Sequence, residues 1–409
     1  MAAKRDGTAA TPDFLPLPVV DGATLTYERF LREFALPKQP CVITNIGATW
    51  AARDWSVDYF LAHESVDKEH EVSMADGAYG TSEEVDVTVG EALRMVVQRA
   101  DQAAAADGNG GSAPAYAYLS AWNYVRGGSA ALQEDFEVPS IFERAPKWAR
   151  SHAVLGNSAV DMRWLYIGAS GTGSRTHVDC NLSSAWLWVA TGRKEWICAH
   201  GEDHELLTGG VAGRGSSDYG DDDSAALPDL FASDLHARWP HVRKARLYHG
   251  FQNAGDVCFN PSCCAHAVRN VGAPGALTIS LTHNFVDATN LADVIHDATR
   301  SILDELLPMA ASLKPKTVLK TMATTLHVKR ARLERILREL PDLLSDAHVE
   351  DALRAAADAE AGVEAASAVE ALLRETLTER LATVRPAFVS AATRLRDALG
   401  LDDEVQSVS

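Results

Sequence analysis

The sequence predicts a mainly β domain that begins with helices and is followed by an all-helical region. Within residues 163–187, strand-like segments are separated by three glycines, which mark turns between short strands. Ahead of them, the apolar residues over 30–34 recur at the spacing of one helix face. After about residue 290 the composition shifts to Ala, Leu, Glu and Arg with few strand signals, and these residues favour helices.

The composition is that of an average globular protein. The chain has 409 residues, which is enough for one large domain or two ordinary ones, and 46% of them are hydrophobic. A formal net charge of −18 argues against broad binding to nucleic acid. The first 12 residues lack the apolar core of a secretory signal, and no apolar run reaches membrane-spanning length. Six cysteines without a C-x-x-C pattern fit a reducing compartment, so we expect a cytoplasmic or nuclear protein with no membrane contact.

The first half of the chain divides into short elements. Residues 1–15 are predicted to be disordered, and a single domain is predicted over 16–290. Its first elements are a helix ending near residue 34, a strand at 41–44, an amphipathic helix over 85–99, a mobile loop at about 103–114 and a strand from 115. The loop is predicted from its richness in Ala, Gly, Asn and Ser.

The second half contains a predicted β-hairpin and a polar insertion. Residues 185–189 and 194–198 flank Thr191-Gly192-Arg193, a sequence typical of a hairpin turn. Residues 208–225 are rich in Gly, Asp and Ser; a solvated loop is favoured over a calcium site, because the ligand order of an EF-hand is absent. In the helical region over 291–409, helices are expected near 291–307, 315–339, 347–359, 364–383 and 386–398, with prolines at or near their boundaries.

Two histidines and one aspartate are the candidate metal ligands. His177 and Asp179 are two residues apart, so in a strand they point to the same face. His266 comes from a later segment. Two His and one carboxylate form the ligand set of non-haem Fe(II) centres that activate O₂. His283 is the strongest rival of His266, because it stands at the end of another predicted strand.

Two alternatives remain open at this point. The H-x-D pattern alone is also found in pairs of polar residues on a protein surface. In addition, Cys180, Cys263 and Cys264 could bind zinc, although their spacing favours packing as small side chains.

Lys194 is the candidate partner for a cosubstrate. In a 2-oxoglutarate oxygenase, one carboxylate and the keto oxygen of the cosubstrate occupy two metal positions, and O₂ takes the third. The far carboxylate then requires a buried cation, because an unpaired buried charge is very costly. Lys194 lies among tryptophans on a predicted strand; an exposed lysine at a hairpin end is the alternative. Thr282, Ser174, Tyr166 and Asn270 are secondary candidates as hydrogen-bond donors to the cosubstrate.

Together these motifs resemble the Jumonji-C family of Fe(II)- and 2-oxoglutarate-dependent oxygenases. The resemblance covers roughly residues 17–300. It is carried by Thr-His-Val-Asp at 176–179, Ser-Ser-Ala-Trp at 183–186, Gly-Arg-Lys-Glu-Trp at 192–196, Gly-Asp-Val-Cys-Phe-Asn-Pro-Ser at 255–262 and His266. Within the family, the segments at 118–122, 139–142 and 282–292 look most like the branch containing the lysyl hydroxylase of the translation-termination release factor. The arginine/lysine-directed branch is next closest.

The resemblance implies a fold and a set of site residues. The fold is a double-stranded β-helix (cupin or jelly-roll) core with N-terminal helices and an all-helical C-terminal region. The implied catalytic residues and Fe(II) ligands are His177, Asp179 and His266, and Lys194 is the implied partner of the far carboxylate of 2-oxoglutarate. Thr282 and Asn270 fall where the arginine/lysine-directed branch has a Thr and an Asn, the Thr contacting the cosubstrate.

The resemblance also implies a reaction, with Fe(II), 2-oxoglutarate and O₂ as cofactors. It is hydroxylation of a protein substrate, and the lysine of a translation release factor is the first target to test. The alternatives are a demethylase, a hydroxylase of RNA or of another protein, and a catalytically silent binding module. A homodimer through the C-terminal helices is expected by analogy, with a helical cap as the alternative.

One departure from the family lies beside the third ligand. Family members usually have Pro-Ser-Gly-Trp before the distal His, whereas this chain has Pro261-Ser262-Cys263-Cys264. The loss of Gly and Trp could alter the loop that presents His266, and it places oxidisable thiols near the metal.

Overall fold

The computed structural model describes residues 14–77, 84–107, 116–144, 146, 162–208, 227–312, 345–358 and 363–399. The strands in these ranges are β1 (Leu15–Pro16), β2 (Val19–Asp21), β3 (Cys41–Thr44), β4 (Glu71–Gly77), β5 (Glu84–Thr88), β6 (Tyr116–Trp122), β7 (Arg163–Ala169), β8 (Gly173–His177), β9 (Ser184–Thr191), β10 (Arg193–Ala199), β11 (Leu247–Asn253), β12 (Val257–Asn260), β13 (His266–Asn270) and β14 (Leu277–Phe285). The α-helices are α1 (Tyr27–Phe30), α2 (Val57–Ala62), α3 (Val89–Asp107), α4 (His204–Thr208), α5 (Leu235–Arg238), α6 (Leu291–Ser301), α7 (Leu307–Ser312), α8 (Asp346–Ala357) and α9 (Val363–Leu399).

Strands β7 to β14 form a double-stranded β-helix, as predicted. The strands fall into two sheets with the orders β1-β11-β10-β13-β8 and β2-β3-β12-β9-β14-β7-β6-β4-β5. Along the chain, β7, β9, β12 and β14 belong to the larger sheet, while β8, β10, β11 and β13 belong to the smaller one. The chain thus winds back and forth between two facing sheets, and the side chains between them line a cavity.

The predicted hairpin between β9 and β10 is wrong. β9 pairs with β12 and β14, whereas β10 pairs with β11 and β13. The turn at Gly192, with φ +86°, carries the chain from the larger sheet to the smaller one, and a Cβ there would collide with Thr278. The sequence at residues 191–193 correctly indicates a turn, but it does not show that the strands on its two sides belong to different sheets. Lys194 therefore reaches the neighbourhood of His177 through β13 and β8.

The outer face of the larger sheet carries the main hydrophobic core. Trp186 and Trp188 of β9 and Phe259 of β12 are buried there in one cluster that also contains Phe30 of α1 and side chains of the C-terminal helices. Two arginines form hydrogen bonds between those helices and the preceding part of the chain. Arg144 donates to the Ala356 carbonyl at 2.9 Å, and Arg380 donates to the Leu36 carbonyl at 2.8 Å. The helices after β14 therefore pack on the barrel as part of one core.

Several expected boundaries differ from the structure. Leu15–Pro16, at the end of the segment predicted to be disordered, forms β1 beside β11, and residues 1–13 lie outside the described ranges. Residues 84–88 form β5, and α3 continues to residue 107, so the loop expected at 103–114 begins later; residues 108–115 are outside the described ranges. The insertion expected at 208–225 also lies outside them, apart from Thr208 at the end of α4.

Pro386 does not end a helix as expected. It lies inside α9, which is continuous over Val363–Leu399. Residues on both sides of it, including Leu381 and Phe388, are buried in the core. Packing of this face offsets the missing hydrogen bond and the ring clash of an internal proline, which cost about 3 kcal/mol. The helix expected at 315–339 lies outside the described residues, and among the described helices none is long and apolar enough to cross a membrane.

Candidate metal centre

The two histidines and the aspartate converge in the structure. One ligand atom from each of His177, Asp179 and His266 lies within 4.8 Å of the other two. His177 is the last residue of β8 and pairs directly with His266, the first residue of β13. Asp179 follows the strand and begins a 3₁₀ turn over Cys180–Leu182. Backbone pairing and this turn, and not strand alternation alone, bring the three groups together.

Each imidazole is oriented by a backbone carbonyl. His177 Nδ1 lies 2.8 Å from the Arg175 carbonyl oxygen, and His266 Nδ1 lies 2.9 Å from the Cys264 carbonyl oxygen. A carbonyl only accepts, so both Nδ1 atoms carry the proton and both Nε2 lone pairs remain available to a metal. Burial and the neighbouring His266 lower the pKa of His177 to about 4, against the opposing effect of Asp179. His177 is therefore neutral at physiological pH, the state that ligates.

The zinc alternative is wrong for the described residues. Within these ranges, no other set of three His, Cys, Asp or Glu side chains converges as closely as the His177 group. Cys263 and Cys264 are buried, and Cys264 Sγ donates to the Ala199 carbonyl at 3.1 Å. The thiols pack as small side chains, as favoured from the sequence.

The loop before His266 keeps its shape despite the missing glycine. Cys263, at the position of the family glycine, has φ +65°, a left-handed conformation that is costly for residues with a Cβ. Cys264 holds His266 through its carbonyl, so replacement of the family tryptophan side chain leaves this contact in place. Lys38 Nζ ties the loop to α6, because it lies 2.7 Å from Asp293 Oδ1 and 3.6 Å from Cys263 Sγ.

We predict that Cys263→Gly costs about 1 kcal/mol less stability than Cys264→Gly, because glycine adopts the left-handed conformation at residue 263 without the Cβ penalty and so offsets part of the lost packing and of the lost Lys38 contact. Urea unfolding followed by tryptophan fluorescence would measure the change. Cys264→Gly is the matched control: Cys264 is not in the left-handed region, so this change should destabilise the protein. Equal destabilisation by both substitutions would contradict the strain assigned to Cys263.

His283 does not take part in the candidate metal centre. On β14, Thr282 faces the cavity, and His283 therefore faces the opposite side of the sheet. Its Nε2 lies 3.1 Å from the Tyr124 hydroxyl, and its ring packs against Trp186. Thr282 and His283 therefore lie on opposite faces of β14. The sequence alone does not show which of these faces turns towards the cavity.

The triad opens into a cavity between the two sheets. Its lining side chains are Tyr118, Tyr166, Ser174, His177, Asp179, Ala185, Leu187, Lys194, Trp196, Asn260, His266, Val268 and Thr282. The structure therefore brings Lys194, Thr282, Ser174 and Tyr166 to the same cavity as the triad. Tyr118, Trp196 and Asn260 were not predicted as site residues. Tyr118 reaches the cavity because β6 pairs with β7, a long-range pairing that carries no local sequence signal.

Lys194 is a buried cation at the cavity wall. It is 1% exposed, and its Nζ donates to Asn270 Oδ1 at 3.0 Å. Burial lowers the pKa of Lys194 to about 7. Among the described residues no carboxylate forms an ion pair with it, so the ammonium group has only a neutral partner. An anion inside the cavity would satisfy it.

Asn270 does not line the cavity. Its Oδ1 accepts from Lys194, while its Nδ2 donates to Thr172 Oγ1 at 2.9 Å and to the Gly168 carbonyl at 3.3 Å. The amide is therefore engaged by protein groups on both ends. In this arrangement Asn270 positions Lys194, and its direct contact with the cosubstrate stays a prediction.

The chain matches a known family over most of its barrel. Residues 27–290 match the cupin-like domain family. The bifunctional arginine demethylase and lysyl-hydroxylase psr-1 of Caenorhabditis elegans is 26% identical over 273 residues, which cover 66% of this chain and 62% of that protein. The arginine-specific demethylase JMJ22 of Arabidopsis thaliana is 28% identical over 178 residues, 43% of this chain and 32% of that protein.

A third relative is named for its cofactors. The 2-oxoglutarate and iron-dependent oxygenase JMJD4 of Gallus gallus is 25% identical over 284 residues, covering 66% of this chain and 60% of that protein. The chain thus spans less than two thirds of the length of each of these relatives. The matched segment contains the eight barrel strands and all three convergent ligands. The chain belongs to the cupin-like domain family, and its resemblance to the Jumonji-C oxygenases is confirmed.

Proposed function

We propose that the protein is an Fe(II)- and 2-oxoglutarate-dependent oxygenase that hydroxylates a protein side chain. Two features that lie in one cavity carry the proposal: the convergent His177, Asp179 and His266 set, and the buried Lys194, which has no carboxylate partner among the residues that the structure describes. Two imidazoles and a carboxylate suit Fe(II). A buried ammonium group suits the far carboxylate of 2-oxoglutarate. When bound, the iron and its cosubstrate supply the O₂ activation needed to hydroxylate a C–H bond.

The residues of the chain have distinct tasks in this proposal. His177, Asp179 and His266 would hold the metal. Lys194 fixes the far end of the cosubstrate, and Asn270 keeps the Lys194 ammonium in place. Thr282, whose hydroxyl now donates to the Trp186 carbonyl at 3.2 Å, and Ser174 and Tyr166 offer further polar contacts on the cavity wall. The surrounding Leu187, Trp196 and Val268 exclude water.

The substrate we propose is a lysine side chain of a translation factor, with a release factor as the first protein to test. The similarity to a protein named as a lysyl-hydroxylase supports this choice. The test is 2-oxoglutarate turnover by the iron-loaded protein, together with mass spectrometry of candidate substrates for the gain of one oxygen atom. Absence of turnover with extract and with release factor would contradict the proposal.

Arginine demethylation is the second candidate reaction. The chain is also similar to proteins named as arginine demethylases. Hydroxylation of an N-methyl group releases formaldehyde, whereas hydroxylation of a lysine carbon retains the oxygen on the substrate. Formaldehyde formed in step with 2-oxoglutarate consumption on a methylarginine peptide would therefore favour demethylation. We also propose a homodimer through the C-terminal helices, which the mass in solution would test.

We predict that 2-oxoglutarate binds more weakly as the pH rises above 7. Burial lowers the pKa of free Lys194 to about 7, and a bound carboxylate raises it again, so binding above pH 7 requires uptake of a proton. The affinity should then fall by up to roughly tenfold per pH unit. Calorimetric titration in buffers of different ionisation enthalpy would measure both affinity and proton uptake. In Lys194→Arg the side chain stays charged, and a slope that persists in this variant would assign the effect to another group.

A further inference from the structure

Asn260 presents a buried hydrogen-bond donor to the cavity. It is the last residue of β12, it is 2% exposed, and it lines the cavity beside the triad. Its Oδ1 lies 3.8 Å from Cys198 Sγ and 3.9 Å from Cys258 Sγ, so the two thiols donate to it. Among the described residues no acceptor engages its Nδ2. The amide is thus held by its oxygen, and its N–H₂ group is left for a ligand.

The position of Asn260 identifies which part of a ligand it would meet. Its contact Cys198 pairs across β10 and β13 with His266, so Asn260 stands at the level of the metal ligands. Lys194 lies four residues earlier on β10, about 13 Å away along the strand at roughly 3.3 Å per residue. The two side chains therefore mark opposite ends of the cavity. A dicarboxylate held at its far end by Lys194 places its other carboxylate, next to the 2-oxo group, near Asn260.

We propose that Asn260 is a binding residue of this site, and that its Nδ2 donates a hydrogen bond to the carboxylate adjoining the 2-oxo group of the cosubstrate. The inference rests on the proposed function and adds a residue to it. An amide is neutral, so it can meet an anion at this end without adding a second cation beside the metal. A donor to a carboxylate is worth more than a donor to a neutral acceptor.

The experiment compares two ligands that differ only at the far end. Under anaerobic conditions, the Fe(II)-loaded protein is titrated with 2-oxoglutarate or with 2-oxopentanoate, which lacks the far carboxylate. The charge-transfer absorption of Fe(II) chelated by a 2-oxo acid reports binding without turnover. We expect Asn260→Leu to weaken both ligands equally, by roughly tenfold to a hundredfold. Lys194→Met should weaken 2-oxoglutarate alone. Asn260→Ala serves as a second variant, and iron content and thermal unfolding show that each protein is folded and loaded.

The outcomes separate this inference from the proposed function. Wild-type protein that binds iron but neither 2-oxo acid would overturn the proposed function, and the role of Asn260 with it. Wild-type binding combined with unchanged affinities in Asn260→Leu and Asn260→Ala would overturn the role of Asn260 alone. A loss confined to 2-oxoglutarate would also overturn it, because that result places Asn260 at the far carboxylate.

Discussion

Replacing His266 with alanine is expected to abolish stoichiometric Fe(II) binding and to reduce 2-oxoglutarate turnover by on the order of a thousandfold or more. His266 and His177 are paired across two strands, with ring centroids 4.3 Å apart. Removing one imidazole leaves a single nitrogen and one carboxylate, which is too few protein ligands to hold Fe(II) against water. Metal analysis of the purified protein and a turnover assay measure the two effects separately.

His283→Gln is the matched control for the His266 substitution. His283 is also a buried histidine of the barrel, but it faces Tyr124 on the other side of β14. Glutamine retains a polar group near the Tyr124 hydroxyl, so this variant should keep one iron per chain. Iron retained by His266→Ala, or lost from His283→Gln while the protein remains folded, would contradict the assignment of His266. Retention of iron without any turnover in the wild type would instead favour a silent binding module.

The parts of the site that could be predicted from the sequence are those with a short-range pattern. The two-residue spacing of His177 and Asp179 is a local feature, and the structure brings these two residues together with His266. The helical composition after residue 290 was equally local, and α6 to α9 follow β14. The proline at residue 386 predicts a helix boundary there, but the helix continues through it because Leu381 and Phe388 on either side are buried in the core.

The parts that could not be predicted depend on pairing between distant strands. The turn at Gly192 has the sequence of a hairpin, although its strands enter different sheets. Asn270 has the residue type of a cosubstrate contact, but its pairing with Lys194 turns the amide towards that lysine and Thr172. Asn260 has no local signal that marks it as a site residue, because one of the two thiols that hold its amide oxygen, Cys198, comes from a strand of the other sheet. Residue identity thus indicated the chemistry, while strand register selected which side chains share the cavity.

Lys194→Met should have opposite effects on ligand binding and on the stability of the free protein. Loss of the cation leaves the far carboxylate of 2-oxoglutarate buried without a partner, which costs 2–5 kcal/mol and weakens binding by roughly thirtyfold to several thousandfold. In the free protein, however, the same ammonium is buried with one neutral partner. A methionine of similar shape removes that desolvation cost, so the ligand-free variant should be at least as stable as the wild type.

Lys38→Met separates a structural lysine from a ligand-binding one. Lys38 is also buried, but it forms an ion pair with Asp293, so its loss should lower stability and leave 2-oxoglutarate affinity unchanged.

The pH dependence of unfolding adds an independent check of the Lys194 assignment. Burial lowers the pKa of Lys194 from the ordinary lysine value of 10.5 to about 7 in the folded protein, so folding releases its proton at pH values between the two. Wild-type stability should therefore rise with pH across this window relative to Lys194→Met, by up to about 1.4 kcal/mol per pH unit. A parallel pH profile for the two proteins would show that Lys194 is already paired before the cosubstrate binds.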